Sequence, residues 1–207
     1  MIKELMVEGV FAENTYFYID AHTKSGFLID PGAQAGLIYE AIQRNGWNIE
    51  KILLTHGHFD HFGAAELLRE KLVAPIYIYP EDARYLLDPY LNLSGNYNPI
   101  TVPHYEELHD GEIIRLKANS GFYLKVINTP GHTPGSVTYY SPEENAAFVG
   151  DLLYQHGPGL TNFPGGNRRV LEESIVDKIF TLPDATLLLS GHSSPITVAE
   201  EKQMLIR

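Results

Sequence analysis

The chain has 207 residues with a hydrophobic fraction of 44% and a charged fraction of 20%, the composition of an ordinary globular protein with room for a sizeable core. Its formal net charge of -11 argues against a nucleic-acid partner, because an acidic surface repels a phosphate backbone. It has no cysteine, which excludes disulfides, a thiol nucleophile and thiolate metal sites and leaves imidazole and carboxylate as the strong ligands. No stretch approaches 18 consecutive apolar residues and the N-terminus lacks the apolar block of a signal peptide, so the expected location is the cytoplasm, with no membrane partner.

In chain order, residues 1–31 read as three strands. Apolar residues alternate with polar ones (Phe17, Ile19; Phe27, Ile29), and the turns are expected at Asn14 and at Lys24-Ser25-Gly26. A helix follows from Ala35 to Asn45, with Leu37, Ile38, Ala41 and Ile42 on one face and Gly46 as its C-cap. A short strand, 51–55, runs into the segment His56-Gly57-His58-Phe59-Asp60-His61. A helix over 64–72, a strand over 75–79 and a short helix over 81–87 come next. Residues 88–111 carry Pro89, Pro99 and Pro103 and show no period, which marks either a functional lid over a site or a solvated connector. Strands resume at 112–116, 122–128, 136–140 and 146–151, then a helix at 169–180, a strand at 185–190 and a short C-terminal helix. Two mixed sheets with helices outside, an α/β sandwich in one domain spanning 1–207, is the expected architecture.

The chemistry concentrates at strand ends. The segment 56–61 holds four potential ligands in six residues, and His132, Asp151 and His192 each follow a strand. Two histidines one residue apart on an extended turn can face one ion, and the Asp and His that follow can face a second. Three imidazoles would suffice for one zinc with an open position, so the surplus points to two ions. Gly150 lets the backbone approach closely before Asp151. His22, His104, His109 and His156 stand outside any motif and read as surface residues.

The segments NTYFYID, GFLIDPG, THGHFDHFGA, TPGHTPGSV, FVGDLLY, TNFPGGN and LSGHSSPIT together resemble the metallo-β-lactamase superfamily, and within it the glyoxalase II-like (hydroxyacylglutathione hydrolase-like) group in its short single-domain bacterial form. That resemblance implies an αββα fold. It also implies one metal on His56, His58 and His132, a second on Asp60, His61 and His192, and Asp151 bridging both, with Asp30 supporting the histidine loop. The implied cofactors are two divalent ions, zinc by preference with iron or manganese as substitutes. The implied reaction is attack of a metal-bridging hydroxide on a small-molecule acyl-thioester, with Asp60 and Asp151 as catalytic residues. Ser94, Tyr97, Tyr154 and Arg168 are the expected substrate contacts.

The substrate side departs from the family pattern. The longer enzymes carry a helical C-terminal domain that helps hold glutathione, whereas this chain stops at Arg207, so fewer anchoring contacts are expected. Leu160 and Asn162 stand where short relatives usually have Arg and Asp, and Gly191-His192-Ser193-Ser194 replaces the usual Gly-His-Gly. Two rival activities share the scaffold: a mono-iron persulfide dioxygenase using His56, His132 and Asp151, and a lactone hydrolase using the same hydroxide. Oligomeric state has no signature in the sequence.

Overall fold

Strand β2 (Ala12–Ile19) shows how the layers arise: its residues from Glu13 to Ile19 are buried, so both of its faces are covered. Because side chains alternate along a strand, Phe17 and Ile19 enter one core while Tyr16 and Tyr18 enter another. The computed structural model describes residues 1–205. The first half of the chain builds a six-stranded sheet in sequence order: β1 (Ile2–Glu8), β2, β3 (Ser25–Ile29), β4 (Asn48–Leu53), β5 (Ile76–Ile78) and β6 (Glu106–Glu107). Pairing is antiparallel from β1 to β3 and parallel from β3 to β6. Helices α1 (Ala35–Asn45), α2 (Phe59–Phe62), α3 (Ala65–Leu72) and α4 (Pro80–Ala83) lie in the parallel crossovers.

The second sheet contains β7 (Ile113–Arg115), β8 (Tyr123–Asn128), β9 (Val137–Ser141) and β10 (Ala146–Gly150). After a small hairpin of β11 (Leu153–Tyr154) and β12 (Gly157–Pro158), α5 (Arg168–Ser174) continues as a π-turn through Ile179. It leads to β13 (Leu187–Ser190), β14 (Ile196–Thr197) and α6 (Val198–Leu205). The order is β14-β13-β10-β9-β8-β7, with β10 and β13 parallel and the other neighbours antiparallel.

Three hydrophobic layers hold the sandwich. Tyr18, Phe27, Phe122, Tyr139 and Phe148 fill the space between the sheets. Ile38, Ile42 and Leu68 of α1 and α3 cover the first sheet, and Leu171, Ile175 and Ile179 cover the second. The two mixed sheets and their flanking helices are therefore the αββα arrangement.

Several local expectations differ from the structure. The first turn lies at Gly9–Phe11, and Asn14 sits inside β2, where its amide donates to the carbonyls of Ser190 and Ser193 across the two sheets. The second turn ends at Lys24, with Ser25 and Gly26 already in β3. Leu37 faces solvent because only Ile38 and Ile42 of α1 reach the core. The helix expected over 81–87 breaks after Ala83 into a separate 3₁₀ turn at Tyr85–Leu87. The isolated pairs β6 and β14 carry too few residues for any periodic signal.

Phe148 illustrates what the inner layer contributes. It is 1% exposed and packs edge-on to Tyr16 at 5.4 Å between ring centroids. Phe148→Ala leaves a cavity between two sheets that cannot collapse onto each other, so the expected loss is about 3–5 kcal/mol. Urea unfolding should show a lower midpoint with an unchanged slope.

Candidate metal centre

The strand ends expected to carry ligands converge on one rim of the sandwich. His56 follows β4 of the first sheet, while His132, Asp151 and His192 follow β8, β10 and β13 of the second. Hydrogen bonds between the sheets close this rim. The Tyr139 hydroxyl donates to Leu54 O (2.6 Å), Val137 N–H to Thr55 O (2.8 Å) and the Tyr16 hydroxyl to Ser190 O (2.7 Å).

The segment 56–61 divides its side chains by changing conformation midway. His58 is extended (φ -83, ψ 144) and forms the N-terminal boundary of α2, so Asp60 and His61 lie on the first helical turn, with the His61 ring 4.2 Å from that of His56. Among the groups of donor atoms lying within 4.8 Å of one another are His56, His58 and His132, and Asp60, His61 and His192; His56, His61 and Asp151 form a further group between them, and Glu13, Asp30 and His61 another behind. Asp151 lies between the first two. Its Oδ2 is 3.7 Å from His132 Nε2, and its Oδ1 is 3.3 Å from His61 Nε2 and 3.6 Å from His192 Nε2.

The far nitrogens of four imidazoles are hydrogen-bonded, which fixes which nitrogen keeps its lone pair. His132 Nδ1 donates to Leu160 O (2.6 Å), and His192 Nδ1 donates to Ala12 O (2.7 Å). Asp30 serves both groups. Its Oδ2 accepts from His61 Nδ1 (3.0 Å) and from the Thr55 hydroxyl (2.6 Å), and that hydroxyl oxygen accepts in turn from His56 Nδ1 (3.1 Å). Asp30 holds this position with φ 47, a conformation that an aspartate tolerates better than most residues. His56 Nε2 and Asp151 Oδ1 are buried with no hydrogen-bond partner, and His58 Nδ1 meets His132 Nε2 at 2.8 Å. Buried lone pairs without donors, aimed at common points, fit a divalent cation held by nitrogen and oxygen ligands.

The electrostatics follow the same division. Burial and the surrounding imidazoles drive His56 well below the ordinary histidine range, and burial with His132 beside it pushes His58 down to about 3. Burial lowers His132 as well. This trio is therefore neutral and offers lone pairs at neutral pH. Burial also opposes charge on His61, but the carboxylates of Asp151 and Asp30 outweigh it and raise the imidazole well above its usual range. Asp151 is the counterpart: burial favours its neutral form, yet His61, His132 and His192 hold it well below the usual carboxylate range. Negative charge on Asp151 is thus balanced by positive charge on the neighbouring imidazoles.

Close packing admits only glycine at two neighbouring positions. A Cβ on Gly150, where φ is +52, would meet Thr55 Oγ1 at 2.3 Å, and one on Gly191 would meet His61 Cε1 at 2.4 Å.

A cavity of about 530 Å³ opens over the cluster, walled by Phe11, Leu93, Tyr97, Leu160 and Phe163. Of the expected substrate contacts, Tyr97 lines it. Tyr154 lines it too, with its hydroxyl committed to Asp151 Oδ2 (2.8 Å). Ser94 and Arg168 require correction. Ser94 is fully buried inside the 88–111 segment and accepts from Ile100 N–H (3.0 Å). Arg168 lies on the exposed side of α5 and pairs with Glu172 (2.7 Å). The 88–111 segment is largely exposed, yet it is fastened at one point and contributes Leu93, Asn96 and Tyr97 to the cavity. Asn92 ties it down by donating to Tyr85 O and Ile100 O, and its residues form one cavity wall. His22, His104, His109 and His156 are exposed, as expected.

Asp82 is a site residue that no motif signalled. It is fully buried and accepts from Gly57 N–H (2.8 Å), Gly135 N–H (2.7 Å) and the Thr133 hydroxyl (2.6 Å), joining the His56–His58 loop to the His132 loop. Burial raises its carboxyl to about 6 despite these donors. Glu13 was likewise unsignalled. It is buried beside Asp30 and His61, and burial followed by the opposing effect of His61 leaves it well above the ordinary carboxylate range.

A two-sheet sandwich with an imidazole–carboxylate cluster on its shared rim defines a metallohydrolase type of scaffold. The profile of the metallo-beta-lactamase superfamily matches residues 9–192, and the chain belongs to that superfamily. A probable metallo-hydrolase of Bacillus subtilis, YqgX, is 39% identical over 95% of this chain and 92% of its own length. The hydroxyacylglutathione hydrolase GloC of Haemophilus influenzae is 33% identical over 97% and 94%. Among solved structures, the BLEG-1 B3 metallo-beta-lactamase superposes with a TM-score of 0.91 at 34% identity, covering 98% of this chain and 97% of its own. TTHA1623 in a di-iron-bound form gives 0.83 at 30%, covering 98% of each chain.

Asp82→Ala should loosen both histidine loops at once by leaving three buried donors unpaired. We expect a stability loss of at least about 3 kcal/mol together with weaker metal retention. Urea unfolding and competition with a chelator of known affinity measure the two effects separately.

Proposed function

We propose that this chain is a binuclear metallohydrolase that cleaves acyl-thioesters. The reading rests chiefly on Asp151, whose two carboxylate oxygens face different histidine groups while several lone pairs around it lack partners. His56, His58 and His132 would hold one ion, Asp60, His61 and His192 the other, and Asp151 would span both. Zinc suits these nitrogen and oxygen donors, and iron or manganese could take the same sites; the di-iron form of TTHA1623 is a relative with two metals. When bound, two such ions supply a nucleophilic hydroxide from water at neutral pH and polarise the acyl carbonyl.

The chain's own contribution is orientation. Asp30 and Thr55 fix His56 and His61, Leu160 O fixes His132, and Tyr154 holds one oxygen of Asp151. A thiolate is a good leaving group and needs little protonation, so no dedicated acid is demanded. The cavity fits this. Apart from the proposed ligands, its only ionisable side chains are Tyr97 and Tyr154, and burial followed by the adjacent Asp151 raises the Tyr154 hydroxyl far above its ordinary range. The similarity to GloC, a hydroxyacylglutathione hydrolase, supports a thioester as the reacting group.

Elemental analysis of protein purified without chelator should give close to two metal ions per chain, and His192→Ala should reduce this toward one. A value of one that His61 and His192 substitutions leave unchanged would instead mark a mono-iron centre on His56, His132 and Asp151, with oxygen uptake on persulfides.

Asp151→Asn preserves shape but removes the shared negative charge. Turnover of an acyl-thioester should fall by about 10²-fold or more, in line with loss of a preorganised electrostatic group. Near-normal turnover at full metal content would refute the bridging role.

A further inference from the structure

We propose that the substrate is a neutral thioester whose non-reacting part is an aromatic or hydrocarbon group seated on the Phe11–Tyr97–Leu160–Phe163 wall, and not an anionic glutathione conjugate. This names the substrate class of the hydrolase reading above and rests on it.

The argument starts from the charge of the walls. Three adjoining cavities surround the cluster. The one of about 530 Å³ shares Phe11, Asp60 and Tyr97 with a second of about 210 Å³, and it shares Leu93, Asn96 and Phe163 with a third of about 430 Å³. Among the described residues, none of the three is lined by lysine or arginine, and the acidic groups present are Asp60 and Asp151 of the cluster itself. The arginines that follow the Phe163 segment are committed elsewhere, Arg168 to Glu172 and Arg169 to Glu173. Glutathione carries two carboxylates, and each would lose hydration against an apolar wall with no lysine or arginine side chain to receive it. The chain's net charge of -11 adds repulsion at longer range.

The mouth has a positive preference as well. Val10, Phe11, Tyr90, Tyr97 and Leu160 surround it and remain 48–74% exposed. Phe11, Phe59 and Tyr97 already pack against one another, tilted or edge-on with centroids 5.5–6.2 Å apart, which makes a ready aromatic surface. An exposed apolar surface continuous with a reactive centre marks a ligand-binding groove. In the reaction, water oxygen bonds to the acyl carbon and the carbon–sulfur bond breaks. The sulfur leaves with the electron pair and is protonated by solvent, giving a carboxylic acid and a neutral thiol.

Two measurements test this. The first is steady-state kinetics with two thioesters of the same lactoyl group, one on glutathione and one on benzyl thiol. We expect kcat/KM on the order of tenfold higher for the benzyl compound. Leu160→Arg should move that ratio about tenfold toward glutathione with metal content unchanged. The second is calorimetry on the protein as purified, using thioethers in which a methylene replaces the carbonyl. The neutral thioether should bind at least about tenfold tighter than its glutathione counterpart. Equal or tighter binding of the glutathione thioether, or an unmoved ratio in Leu160→Arg, overturns the inference. Preferential binding of the neutral thioether without cleavage of either thioester by the two-zinc protein would leave the apolar specificity standing and remove the hydrolase reading.

Discussion

The organising constraint of this molecule is the cost of burying five imidazoles and two carboxylates at one point. Such a cluster is tolerable only if its rings are held in orientation, as four of the five are by a hydrogen bond on the far side, and the enclosed negative charge is balanced. Asp30 does much of the orienting. Through Thr55 it reaches a histidine of one group, and directly it reaches a histidine of the other. One carboxylate at the end of β3 therefore correlates the geometry of both halves of the centre, which explains why it occupies a left-handed backbone conformation.

The two sheets are arranged to serve that point. The first sheet brings four candidate ligands in one continuous segment, and the second brings three from separate strand ends. The halves are locked together by side chains that cross the sandwich next to the cluster, including Asn14, Tyr16 and Tyr139. The aromatic layer of Tyr18, Phe27, Phe122 and Phe148 holds the spacing between the sheets deeper in. Stability of the core and geometry of the site are in this sense one property, since a shift of one sheet against the other would separate the ligand groups.

What was legible in the sequence was what is local or periodic. The 56–61 segment puts its candidate ligands side by side in the chain, and the alternation in β2 and β3 marks them as strands, although burial on both faces is seen only in the structure. His132, Asp151 and His192 were readable because each follows a strand and sits beside a glycine or a Pro-Gly turn. Asp82 was not, because its three partners lie 25 to 53 positions away and nothing in a short helix marks a residue that joins two distant loops. Asn14 misled for a similar reason: asparagine is a turn former by propensity, but here tertiary hydrogen bonds hold it in a strand. Ser94 and Arg168 were chosen for polarity near a motif, whereas the groove over the cluster is walled by rings and aliphatic side chains.

The way the 88–111 segment is anchored has a consequence for how such a protein can diversify. The Asn92 side chain fastens the segment by donating to Tyr85 O of the scaffold and to Ile100 O within the segment, so both of its acceptors are backbone carbonyls. Leu93, Asn96 and Tyr97 face the groove from a segment that contributes none of the seven clustered side chains. Exchanging those residues alters what the groove accepts while the reactive machinery stays untouched. The groove wall and the side-chain cluster thus sit on separate parts of the fold, so substitutions at Leu93, Asn96 and Tyr97 reshape the one without replacing a residue of the other.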